Sequence, residues 1–162
     1  ERFQTLVAEF GPALRRLCAA YERNEASRHD LEQEILLNLW RALPGYRGDA
    51  SLRTWVYRVA HNVASRHVRR AVKRPKTEGD DQRLARHAAT ELTPDEAVVK
   101  ADARARLREC VKQLRPLDRQ LILLFFEDVP QGEIGQITGL SQANVSTRIH
   151  RIKAELTRMM KT

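Results

Sequence analysis

Apolar residues recur every three or four positions through most of this chain, with polar residues filling the intervals. Phe3, Leu6, Val7, Phe10, Leu14, Leu17, Cys18 and Tyr21 make one such stripe, which predicts an amphipathic helix. Gly11-Pro12 falls inside it and predicts a kink or a break into two helices. A second stripe, Leu31, Ile35, Leu36, Leu39 and Leu43, predicts a helix capped by Asp30, with Gln33 as the reciprocal partner, and stopped by Pro44-Gly45. Tyr46–Ala50 reads as a loop. Ser51 reads as the cap of a long third helix with Leu52, Trp55, Val56, Val59, Ala60 and Val63 on its buried side.

Between Arg74 and Leu92 the periodicity dissolves into polar, turn-rich sequence, which predicts a linker and a domain boundary. Thr93-Pro94-Asp95-Glu96 restarts the helical pattern with a cap, a first-turn proline and a completing glutamate. One helix is expected from about Pro94 to Leu114. A second begins near Pro116 or Leu117 and turns Leu117, Leu121, Leu124 and Phe125 inward. The stretch from Glu133 to Lys153 then fits a helix-turn-helix. Gln131 to Thr138 buries Ile134 and Ile137, and Gly139 ends it by taking a left-handed conformation. Leu140 packs inward, Ser141 caps the next helix, and Val145, Ile149, Ile152 and Leu156 line its core side. The expected architecture is all-α: two small helical domains, residues 1–74 and 93–162, joined by a flexible linker over 75–92.

Composition agrees with this and adds a partner class. Gly and Pro are sparse, 7 and 6 in 162 residues, and helix-favouring residues dominate. No apolar run approaches the roughly 18 residues that a membrane span needs, and the opening residues carry no secretory pattern. Cys18 and Cys110 have no paired spacing and read as reduced thiols in helical cores, which points to the cytoplasm. The net charge of +8 favours polyanions, and its placement favours nucleic acid. Arg58, Asn62, Arg66, Arg69 and Lys73 fall on one side of the third helix with almost no acidic residue between Leu52 and Lys76, as expected of a phosphate-contacting stripe. In the last helix Asn144, Ser146, Thr147, Arg148, His150 and Arg151 face away from the core. Short polar side chains and arginines in that position suit base edges and phosphates of a major groove.

These blocks carry a family resemblance. Asp30-Leu-Glu-Gln-Glu34, Leu39-Trp-Arg-Ala-Leu43 and the run from Tyr46 to Asn62 resemble the second conserved region of sigma-70 factors, and the helix-turn-helix resembles their fourth. With only these regions and a linker, the chain is similar to the compact extracytoplasmic-function group. The resemblance implies a promoter-specificity subunit of RNA polymerase. Asp30, Gln33, Glu34, Asn38 and Arg41 would face the clamp helices of the largest polymerase subunit, and the fourth region would meet the flap of the second. Tyr46, Arg47, Gly48, Asp49 and Ser51 would capture a base flipped from the −10 element, while Arg58, Asn62 and Arg66 hold the melted strand. Asn144, Ser146, Thr147, Arg148, His150 and Arg151 would read the −35 element. Trp55 reads first as core and second as a stacking platform. An anti-sigma factor is a further expected partner. No cofactor, metal or catalytic residue is expected.

One departure bears on regulation. Acidic residues often precede the second region's Leu-x-Gln-Glu block, but Ser27-Arg28-His29 stand there in this chain. Either Asp30, Glu32 and Glu34 suffice for polymerase binding, or a Ser/Thr kinase adds charge at Ser27, Ser51 or Thr54. Two rival readings remain at this stage. A helix-turn-helix regulator acting without polymerase would have no use for the Tyr46–Asn62 block. A metal nuclease built on Asp30, Glu32 and Glu34 fails because Glu32 points away from the face the other two share, and the five histidines are scattered.

Overall fold

The computed structural model describes residues 1–72 and 94–162. The expected linker at 75–92, the Thr93 cap and Lys73 lie outside the described residues. Helices α1 (Arg2–Tyr21), α2 (Glu25–Ala42) and α3 (Leu52–Val72) form one unit, and α4 (Pro94–Lys112), α5 (Pro116–Phe126), α6 (Gln131–Thr138) and α7 (Gln142–Lys161) form another. No strand occurs among the described residues.

Two expectations about helix ends need correction. Of the kink or break expected at Gly11-Pro12, the break does not occur: α1 runs as one helix through Pro12. Proline removes one backbone hydrogen bond, but Phe10, Leu14 and Leu17 are buried on the same stripe and carry the helix across the gap. α2 begins at Glu25, well before Asp30. Asn24 supplies the cap, its side-chain oxygen accepting from the amides of Ala26 at 2.7 Å and Ser27 at 3.2 Å. Asp30 is therefore an exposed residue inside the helix and caps nothing. Ser51 does cap α3, accepting from the Thr54 amide at 3.1 Å.

Each unit has its own apolar core. Leu6, Leu14, Leu31, Ile35, Leu39, Val56 and Ala60 meet in the first. Leu121, Ile122, Leu124, Ile134, Val145, Ile149 and Ile152 meet in the second. Each fully buried Leu, Ile or Val side chain among them contributes about 1.5–3 kcal/mol. Polar groups also lie in the interior of the first unit. His61 is buried, its Nδ1 3.0 Å from the Tyr21 hydroxyl. Burial pushes its imidazole down to about 3, so it is neutral at physiological pH.

A seam joins the units. Ala13 and Tyr57 of the first pack into the apolar cluster of the second, and Leu123 touches both cores. The Arg119 guanidinium of α5 lies 5.2 Å from the centre of the Tyr21 ring. Around this apolar contact run ion pairs of Arg16 with Glu127 at 2.6 Å, Arg23 with Glu109 at 2.9 Å and Arg53 with Glu133 at 2.5 Å. All three arginines are well exposed, and pairs of that kind contribute about 0–1 kcal/mol each. The seam is accordingly weaker than either core.

Candidate nucleic-acid interface

The loop between α2 and α3 forms a cleft. A short 3-10 turn, Leu43–Gly45, ends the α2 segment, and Gly48 takes φ 82°, a conformation that other residues resist. The Tyr46 hydroxyl donates to the Ala50 carbonyl at 2.6 Å and so closes the loop on itself. Tyr46 and Trp55 then lie with ring centres 5.3 Å apart at a 41° tilt. Together with Arg47, Asp49 and Arg58 they line a cleft of about 430 Å³. Trp55 is half-buried against the first core, as its first reading expects, and one part of it also lines the cleft. Arg58, Asn62, Arg66 and Arg69 are all exposed along one side of α3 below it. An aromatic wall beside a row of cations is the arrangement that stacks a base and neutralises its phosphates.

On α2 the five polar residues divide. Asp30, Gln33 and Arg41 are exposed. Glu34 turns back onto α3, where it pairs with Arg70 and lies 3.1 Å from Nδ1 of His67. Burial raises the Glu34 carboxyl, but the hydrogen bonds from Arg70 and His67 together outweigh it and hold the carboxyl below its ordinary value. His67 also lies 3.3 Å from Glu22, so it ties the end of α1 to α2 and α3. The Asn38 amide donates to the Glu34 carbonyl at 2.8 Å. The sequence reading missed two members of this face. Leu37 is 43% exposed and Trp40 58% exposed. Both lie off the Leu31-Ile35-Leu39 stripe, and an apolar pair on the wrong side of a helix was the available signal for a docking surface.

The helix-turn-helix is built as its glycines demand. Gly139 takes φ 85° and its amide donates to the Gly135 carbonyl at 2.7 Å. A Cβ on Gly135 would stand 2.7 Å from the Leu140 carbonyl oxygen, so only glycine lets the turn pass this close to α6. That second constraint was not drawn from the sequence. Ser141 accepts from the Asn144 amide at 3.2 Å and starts α7. Val145, Ile149, Ile152 and Leu156 are buried, and Asn144, Ser146, Thr147, His150 and Arg151 are exposed on the other side. Arg148 is half-buried: it donates to the Asn144 side chain at 3.0 Å and sits 3.8 Å from Asp118. Arg148 is thus partly engaged, while Arg151 has its full reach.

Of the three candidate modification sites, Thr54 is wholly buried and its hydroxyl lies between Ser51 and Glu133, so it is not a surface a kinase can reach in this arrangement. Ser51 is exposed but engaged as the α3 cap, and Ser27 is half-buried in the first turn of α2. Among the described residues no three His, Cys, Asp or Glu side chains gather in a way that would hold a metal ion, and no helix is long and apolar enough to cross a membrane.

Comparison with known proteins agrees with this geometry in both halves. The model for Sigma-70 region 2 matches residues 6–74, and the model for Sigma-70, region 4 matches residues 104–156. RNA polymerase sigma factor YlaC of Bacillus subtilis is 31% identical over 133 residues, covering 81% of this chain and 76% of that protein. RNA polymerase sigma-H factor of Pseudomonas aeruginosa is 26% identical over 164 residues, covering 93% and 82%. The fold is also that of the sigma factor RpoE in its solved complex with the anti-sigma factor NepR from Bartonella quintana, with a TM-score of 0.73 over 99% of this chain and 98% of that one at 18% identity. A cleft-bearing helical unit followed by a helix-turn-helix, each matched in order by its own family model, makes this chain a member of the sigma-70 family, of the extracytoplasmic-function type.

Proposed function

We propose that this alternative sigma factor joins core RNA polymerase through the exposed face of α2 and then reads promoters with two separate surfaces. Leu37 and Trp40 supply the apolar centre of the polymerase contact, and Asp30, Gln33 and Arg41 supply its polar rim. This division matches productive interfaces, where a few large side chains carry most of the affinity. Glu34 and Asn38 shape the helix from behind. The helix-turn-helix lays α7 in the major groove of the −35 element, with Asn144, Ser146 and Thr147 toward the bases and Arg151 toward phosphate. Its unit also meets the flap of the second polymerase subunit.

The Tyr46–Ser51 cleft takes a base flipped out of the −10 element. Extrusion costs a few kcal/mol of stacking, and Tyr46 and Trp55 offset that loss by stacking in turn. Arg58, Asn62 and Arg66 hold the phosphates of the same strand. The observation that carries the reading is the coexistence in one chain of an aromatic, cation-lined cleft suited to single strands and a helix suited to duplex. A regulator that binds only duplex DNA has no role for the first. The chain acts in the cytoplasm, where the polymerase is, and an anti-sigma factor is its further partner, as NepR is found in complex with the structural relative RpoE.

Run-off transcription with purified core polymerase on a pool of genomic promoter fragments tests this. New, discrete transcripts dependent on the protein are expected. Tight binding to duplex DNA with no binding to core polymerase would replace this reading with that of a free-standing regulator.

A further inference from the structure

The ion pairs and the arginine hydrogen bond across the seam share one polarity. The first unit presents arginines, Arg16, Arg23, Arg53 and Arg58, and the second presents acceptors, Glu127, Glu109, Glu133 and the Gln136 carbonyl. Glu133 has the most complete set of donors. Its carboxylate accepts from Arg53 Nε at 2.8 Å and Nη2 at 2.5 Å, from the Thr54 hydroxyl at 3.2 Å and from the Ser51 hydroxyl at 3.4 Å. These donors surround the first turn of α3. A forked guanidinium with hydroxyls at a helix N-terminus is an arrangement that receives a phosphate equally well.

Three residues further along α6, the Gln136 carbonyl accepts from Arg58 at 2.6 Å and 3.2 Å. Gln136 is also, among the described residues, the one member of the second unit that lines the Tyr46–Trp55 cleft. Arg58 and Ser51 belong to the surface assigned above to the melted strand. One short helix thus touches both parts of that surface: Gln136 engages the phosphate-binding Arg58 and lines the base cleft, while Glu133 engages Ser51 of the cleft loop and the adjoining Arg53, a further cation within a strand's reach.

We propose that α6 is an intramolecular competitor of single-stranded DNA. In the DNA-free chain Glu133 stands where a strand phosphate binds and Gln136 walls the base cleft, so that strand and α6 occupy α3 in turn and never together. The inference rests on the reading of the Tyr46–Asn62 surface as strand-binding. Because the coupling is reciprocal, anything that draws the second unit away opens the cleft, and a bound strand drives the units apart. Opening is within reach because the arginine of each seam ion pair is exposed to screening solvent, while both cores stay intact.

The test uses the full chain labelled for energy transfer at Glu9→Cys and Thr157→Cys, both exposed positions on opposite units, with single-stranded DNA of random sequence as the probe. Saturating probe is expected to lower the transfer. E133Q is expected to lower it without probe and to bind the probe about threefold tighter, the size of one exposed ion pair. R53Q provides a second opening variant from the other side of the pair, read by transfer alone. The charge swap R53E/E133R is expected to restore the closed transfer value. Transfer that saturating probe leaves unchanged would overturn the proposal, as would E133Q behaving like wild type in both readouts, or a probe that binds neither form. Run-off transcription separates this from the proposed function. Normal run-off with unaltered transfer sinks only the competitor, whereas absent run-off with the expected transfer changes sinks the promoter-specificity reading.

Discussion

The two surfaces proposed to face DNA are presented differently. The outer face of α7 is open: Ser146, Thr147, His150 and Arg151 are exposed and face solvent. The cleft of the first unit is partly covered, with α6 seated on Ser51, Arg53, Thr54 and Arg58. A surface meant for stable duplex can stand exposed without cost. An aromatic, cationic groove meant for a strand that exists only after melting would otherwise bind any single strand it met, since stacking and phosphate contact carry little sequence information. In the proposed arrangement, the protein's own Glu133 carboxylate covers it and keeps that affinity in reserve.

The comparison can be broken most severely at the turn of the helix-turn-helix. Gly135→Val pushes a side chain into the Leu140 carbonyl and should destabilise the second unit by about 3 kcal/mol, an overpacking cost. Urea unfolding followed by α-helical signal should report it, with α1–α3 melting as before. An unchanged midpoint would mean the turn is looser than described. Next in size is the α2 face. Trp40→Glu should weaken binding to core polymerase at least about tenfold, the loss of one central interface residue, while leaving the thermal midpoint nearly unchanged because Trp40 is exposed. Equal affinity in a titration against core would remove α2 from the polymerase contact.

Acid separates the units in another way. His61 is neutral when folded, with its imidazole pushed to about 3, and protonates near its ordinary 6.5 when unfolded. The unfolded chain therefore binds more protons below pH 6.5, and stability of the first unit should be flat above that value and fall steadily from it toward pH 3. His61→Gln should flatten that part of the curve in a pH series of denaturant midpoints. The smallest effect is expected on α7. Arg151→Ala should weaken −35 duplex binding across all sequences alike and reduce the salt slope by about one, the mark of a lost phosphate contact. A change of sequence preference instead would make Arg151 a base reader.

The sequence was most legible where one stripe had one cause. The core of α7 follows its apolar periodicity closely, those of α3 and α5 follow theirs in part, with Tyr57 and Ile122 buried beyond the expected stripes, and Ser51, Gly139 and Ser141 do what their side chains or lack of one require. It misled where two local signals competed. Asp30 and Asn24 are both good caps, and Asn24 captured the helix because its oxygen meets the Ala26 and Ser27 amides first. Pro12 signals a break, but the burial of Phe10 and Leu14 on either side overrides it. What periodicity could not show was partnership across the seam. Nothing in the spacing of Glu133 and Gln136 links them to Arg53 and Arg58, some eighty residues earlier. The sorting of Glu34 away from Asp30 and Gln33 likewise depends on His67 and Arg70, which lie on another helix.

The central claim, that the first unit holds the melted strand while the second reads duplex, is tested most directly by permanganate footprinting of unpaired thymines in complexes of core polymerase, this protein and a promoter found by run-off. With wild-type protein the account predicts reactive thymines over the −10 element. With Tyr46→Ala it predicts continued protection at the −35 element and a loss of at least about tenfold in that reactivity, since stacking one base is worth about 1–3 kcal/mol. Reactivity at −10 that survives Tyr46→Ala undiminished, or that disappears together with −35 protection, would contradict it.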